Sequence, residues 1–161
     1  MTALAYALLP AERTKTYLQP GQIVAAVEPT TVTTILGSCV AVCLWDPVLG
    51  AGGMNHYLLP QWVGNGLSSP RFGNVAVQRL IDRLLSLGSS KKNLKAKVFG
   101  GACVLDAFRA REETIGSQNV EVANQVLAEA GIPVVNADVG GRRGRKLIFN
   151  LDDGGAWVRL L

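Results

Sequence analysis

The chain predicts a layered α+β domain, and three observations carry that prediction. Short β-branched runs crowd the first sixty residues, a spacing of three to four takes over after Phe72, and three more apolar strands close the chain. The resulting order of strands, helix, strand, helix and strands departs from a regular βαβ succession. At 161 residues the chain can bury a core without staples, and its 18 glycines point to many tight turns.

The elements follow in order. QIVAAVE (22–28) and TVTTIL (31–36) read as strands separated by Pro29. CVAVCLW (39–45) is an apolar run between Gly37-Ser38 and Asp46-Pro47, suited to a strand buried on both faces. DPVLG turns the chain, and GGMNHYLL from Gly52 returns it, which places Cys39 and His56 on two strands of one hairpin. Residues 60–70 form a polar, glycine-rich loop. Phe72, Val75, Ala76, Leu80, Ile81, Leu84 and Leu85 then mark an amphipathic helix ending near Gly88. AKVFGGA from Ala96 is a strand running into a double glycine. A second helix is expected from 118 to 130 with Ser117 as its N-cap. IPVVNAD, KLIFNLD and AWVRLL are the closing strands, with DDGG as the last turn.

Composition bounds the function. No apolar run approaches the roughly 18 residues of a membrane span, so no membrane insertion is expected. The first residues, MTALAYALLPAERTK, lack the basic start of a secretory signal and read as a loose leader over 1–18, ahead of a single domain over 19–161. Three cysteines, an odd number without an export signal, point to a reducing, cytoplasmic setting. The net charge of +4 gathers at Lys91, Lys92, Lys95 and Lys97 and in RRGRK at 142–146. Such charge steers acidic partners. Without an accompanying RNA-binding aromatic pattern, zinc-finger spacing or helix-turn-helix, nucleic acid is not the expected partner.

The chemistry concentrates at LGSCVAVCLWDP (36–47). On one extended strand Cys39 and Cys43 lie roughly 13 Å apart, too far for a disulfide or shared metal. Together with the lone histidine this leaves no metal set, and no cofactor is expected. Cys43 and Cys103 read as buried core thiols. Cys39 instead follows Gly37-Ser38 at a strand mouth, where turn N–H groups can face a developing oxyanion. An imidazole at His56 would draw its proton, lower the thiol pKa and yield the thiolate for acyl transfer. A third group must orient the ring. Thr33 and Asn55 both compete for that role, Thr34 points to the opposite strand face from Thr33, and spacing leaves the choice open.

TTILGSCVAVCLWDP from Thr33 and GGMNHYLLP from Gly52, followed by FGGA (99–102), IGSQN (115–119) and DVGGRRGRKLIFN (138–150), together resemble the chemoreceptor glutamine deamidase family, CheD. The resemblance spans roughly residues 20–160. It implies a cytoplasmic hydrolase that converts glutamine side chains of methyl-accepting chemotaxis receptors to glutamate, without a cofactor. It also implies a layered α/β sandwich of mixed sheets flanked by two or three helices, like that of deamidating toxins. Carried over by position, the nucleophile falls on Cys39, the histidine on His56 and the third residue on Thr33. Ser38 and Gly37 are the candidate oxyanion or turn supports. Gln118 stands where the resemblance leads one to expect a basic residue. The alternative reading is a non-catalytic adaptor that binds receptors or a CheC-like phosphatase.

Overall fold

The computed structural model describes residues 12–105, 107 and 111–161. Nine strands and two long helices are described: β1 (Thr14–Tyr17), β2 (Ile23–Ala26), β3 (Thr30–Leu36), β4 (Val40–Asp46), β5 (Ala51–Asn55), α1 (Gly73–Ser86), β6 (Lys95–Gly100), α2 (Ile115–Glu129), β7 (Val134–Val139), β8 (Arg145–Asn150) and β9 (Ala156–Leu160). The strands form two mixed sheets, a four-stranded one ordered β1-β3-β8-β9 and a five-stranded one ordered β2-β5-β4-β6-β7. In the first, β1 runs parallel to β3; in the second, β7 runs parallel to β6.

The uniform apolarity of β4 has its cause here. Every one of its residues is buried. Val40, Val42 and Leu44 face a core built with α1 and α2, including Leu80, Ile81, Leu84 and Leu127. Ala41, Cys43 and Trp45 face the opposite way, against Val32, Leu36, Leu147 and Phe149 of the other sheet. Alternation along a strand delivers successive side chains to these two cores. The layers are therefore helices, five-stranded sheet and four-stranded sheet, which is the layered α+β architecture.

Two boundaries need correction. β1 and Leu18 fall within the stretch expected as a leader. Thr14 to Tyr17 pair with Thr30 to Thr33, and Leu18 is buried against the second core, so the sheet begins before Gln19. The rest of the expected leader, residues 1–11, lies outside the described residues. The second helix starts at Ile115, not 118, and its N-cap is Thr114. The Thr114 hydroxyl accepts from the Ser117 N–H at 3.1 Å, while the Ser117 hydroxyl accepts from the Thr114 N–H at 2.8 Å. Ser117 is thus the reciprocal partner in a capping box.

Candidate functional site

Cys39 lies in the short link between β3 and β4, and His56 directly follows β5. The β4–β5 register, Cys43 opposite Met54 and Val40 opposite Tyr57, sets Cys39 across from Leu58. Cys39 and His56 are then diagonal neighbours. Both face the core between the sheets, as Cys43 and Met54 do further in. In an unbroken ladder such diagonals stand about 7–8 Å apart at Cα; here no hydrogen bond joins the thiol to the ring, and His56 Nε2 has no partner among the described residues. The site lies between the two sheets, where Thr34 of one meets His56 at the end of β5 in the other.

The group on the histidine ring is Thr34. Its Oγ1 lies 2.7 Å from His56 Nδ1 and donates to the Leu18 carbonyl at 2.8 Å. A hydroxyl has one hydrogen. With that hydrogen on Leu18, Oγ1 accepts from the ring, and the proton of a neutral imidazole resides on Nδ1. Nε2 keeps its lone pair, and it is buried with no partner among the described residues. Leu18, placed by β1, thereby helps set the tautomer.

This corrects the assignment of Thr33. Along β3, Val32, Thr34 and Leu36 point into the core, while Thr33 shares the outer face with Thr31 and Ile35. Thr33 sits between Tyr17 and Ile148 in register, and its carbonyl accepts from the Leu18 N–H at 2.9 Å. Asn55 is also elsewhere engaged: its Oδ1 accepts from the Val42 N–H at 2.8 Å.

The electrostatics differ from the expected thiolate. Burial raises the Cys39 thiol above its ordinary value, opposed in part by its own backbone N–H. Burial likewise lowers His56 to about 4. With both shifts favouring the uncharged forms, the resting pair at neutral pH is thiol and imidazole. The arrangement can pass the thiol proton to Nε2 as sulfur attacks, rather than store a thiolate beforehand.

The turn that carries Cys39 is held from outside. The Gly37 carbonyl accepts from Ala102 N–H and the Cys39 carbonyl from Gly101 N–H, both at 2.9 Å. Gly100 makes this approach possible, because its φ is +106° and a Cβ there would stand 2.2 Å from the Cys39 carbonyl oxygen. Gly37 itself has open space around its Cα, so no close contact demands glycine there. With the carbonyls turned to the scaffold, the Ser38 and Cys39 amides have no acceptor on another residue among those described, and they are the candidate oxyanion donors.

The thiols at the other two positions differ. Cys43 is fully buried, and burial pushes its pKa well up. Cys103, expected in the core, is half-buried and lines a cleft of about 360 Å³ beside Ser38, with Leu105, Ile115 and Gln118. All three cysteines are free. No helix among the described residues is long and apolar enough to cross a membrane.

Fold and site together define a two-sheet α+β protein with a thiol and a buried imidazole on the face between its sheets. Residues 58–160 match the family model described as CheD chemotactic sensory transduction. Cys39 and His56 precede that span. Whole-chain relatives reach further: a probable chemoreceptor glutamine deamidase CheD 1 of Anaeromyxobacter dehalogenans is 55% identical over 92% of this chain and 86% of its own. Proteins named probable chemoreceptor glutamine deamidase CheD from Trichlorobacter lovleyi and Sulfurimonas denitrificans are 49% and 41% identical, covering 84% and 89% of this chain and 84% and 92% of theirs. The chain belongs to the CheD family. Among solved structures, Neisseria meningitidis protein NMB0706 shares the fold alone, with a TM-score of 0.50 and 14% identity over 86% of this chain and 75% of that one.

Proposed function

We propose that this protein is a cytoplasmic protein-glutamine deamidase that acts on methyl-accepting chemotaxis receptors through Cys39 and His56. The observation that carries the reading is the hydrogen bond that His56 Nδ1–H donates to Thr34 Oγ1, which leaves Nε2 as a base on the face that Cys39 shares. The names of the relatives supply the substrate class.

The proposed reaction has two halves. His56 Nε2 takes the thiol proton as Sγ attacks the carboxamide carbon of a receptor glutamine. The oxygen becomes an oxyanion, stabilised by the Ser38 and Cys39 amides. The imidazolium returns its proton to the departing nitrogen, ammonia leaves, and a thioester remains. Water then attacks the thioester carbon, gives a proton to Nε2, and the second tetrahedral species collapses to glutamate and thiol. No redox partner or cofactor is needed, since only acyl and proton transfers occur.

Peptide mass spectrometry of a glutamine-bearing receptor cytoplasmic fragment tests this directly. Wild type is expected to add about one dalton per converted glutamine, with His56→Ala reducing the rate at least about 10³-fold. Binding of the fragment without turnover by wild type would instead favour the adaptor reading.

A further inference from the structure

The β4–β5 ladder runs from Asp46–Ala51 to Cys43–Met54, is interrupted where the Val42 N–H turns to the Asn55 side chain, and closes beside Cys39 with the isolated bridge Val40–Tyr57. Val40 and Tyr57 exchange both main-chain bonds, at 3.1 and 3.0 Å. An antiparallel ladder alternates, so the next bonded pair outward would be Ser38 with Leu59. It does not form. The Leu59 N–H donates instead to the Arg71 carbonyl at 3.1 Å, as the Leu58 N–H does at 2.9 Å. The strands part at the position that carries the thiol, and the Ser38 carbonyl loses its ladder donor, the Leu59 N–H.

One side chain from α2 fills the gap. Asn119 Nδ2 donates to the Ser38 carbonyl at 2.9 Å and to the Leu58 carbonyl at 3.0 Å, using both hydrogens of the amide. Asn119 is fully buried, and its own carbonyl accepts from the Tyr57 hydroxyl. Gly116 lets the helix come this close, since a Cβ there would stand 2.4 Å from the Gly101 carbonyl oxygen. The two carbonyls also define which way the amide faces, because Oδ1 in that place would repel both.

We propose that Asn119 is a positioning residue: its amide replaces the missing rung and sets the separation of the Cys39 and His56 strands. Two features point beyond packing. Asn119 Oδ1 is buried with no partner among the described residues, a burden that an apolar side chain would avoid. And with Gly37, Ser38 and Cys39 carbonyls tied to Ala102, Asn119 and Gly101 in turn, the clamp completes the set that turns the amides of the mouth away from the scaffold. Carboxylate oxygens at this position have no hydrogens to give, and glutamine carries the amide one methylene too far.

The clamp rests on the deamidase reading for its activity, but its geometry is measurable without it. Alkylation of Cys39 by iodoacetamide at pH 7, located by peptide mass spectrometry, is compared with and without His56→Ala in wild-type and Asn119→Ala backgrounds of the full chain. We expect His56→Ala to slow Cys39 alkylation about tenfold in the wild-type background and less than about twofold beside Asn119→Ala, as coupled neighbours require. Asn119→Ser, a smaller cavity with one short donor, provides the second background should the alanine variant not fold. Equal factors in the two backgrounds, including no effect in either, overturn the proposal. With receptor fragment as substrate, kcat per folded molecule should fall about 30-fold in Asn119→Ala with KM within about threefold, and Asn119→Gln should not restore it. Unchanged kcat also overturns the clamp. A wild type that alkylates as expected yet never deamidates sinks the deamidase reading and leaves the clamp standing.

Discussion

Cys39 and Cys43 share one strand direction and one face, four residues apart, yet meet different physics. Cys43 is in register with Met54 on one side and Lys97 on the other, and its thiol is packed into the core between the sheets. Around Cys39 the ladder has opened. It sits in a turn held by Ala102, Gly101 and Asn119, next to Ser38, which lines a cleft, and on the face shared with a His56 nitrogen that has no partner among the described residues. A closed rung makes a thiol inert filling, whereas a missing rung leaves amides and a base free to meet a substrate. On the proposed mechanism, reactivity follows from where pairing stops rather than from the residue type.

The sharpest way to break that contrast is to remove each sulfur. Cys39→Ala is expected to abolish deamidation, by about 10⁴-fold or more. Turnover that survives in Cys39→Ala would discard the assignment of the nucleophile. Next comes the ring's partner. Thr34→Val should lower kcat about 100-fold, less than loss of a charged orienter because a hydroxyl contributes no charge. Thr33→Val, on the outer face, should stay within about twofold. Reversal of these two would restore Thr33 as the third residue and refute the hydrogen-bond geometry.

Acid should act on the mouth through His56. Its folded pKa of about 4 lies below the ordinary histidine value of about 6.5, so between these values the unfolded chain binds more protons. Stability is therefore full above pH 6.5 and is lost as pH falls towards 4, by about 3 kcal/mol from this group. Carboxylates titrate over part of the same range, so the measurement is a difference: chemical denaturation of wild type against His56→Gln at pH 7 and pH 4.5. The variant should show the smaller acid loss, and equal losses would contradict the buried neutral ring. Deamidation should hold steady from pH 6 to 8 and fall only below pH 5, as Nε2 becomes protonated. The smallest effect belongs to the closed end. Cys43→Ala should keep turnover within about twofold while costing about 1–2 kcal/mol in denaturant unfolding.

Much of this was readable from local pattern. The apolar β4, the period of α1 and the DDGG turn follow from alternation, spacing and turn chemistry over a few residues. TKTY, the sequence of β1, is four residues long, mostly exposed and bonded on one side only, so it carries no apolar alternation that would mark it as a strand. The start of α2 was misplaced because Thr-x-x-Ser caps as well as the commoner pairing with glutamate or glutamine. The prior likeness of motifs placed the third residue one position early on β3, where a shift of one residue exchanges the two faces of a strand.

By itself the sequence determined the layered class, the buried strand, the family and the separation of Cys39 from Cys43. These depend on residue type and short-range spacing. Only the tertiary structure decided that Thr34 holds the ring, that Leu18 holds Thr34, and that Asn119 stands in for a rung 81 residues away along the chain. The physical reason is that a hydrogen bond between distant segments depends on register and layer packing, which no local pattern encodes. Whether a cysteine sits in a finished ladder or at its open end is settled the same way.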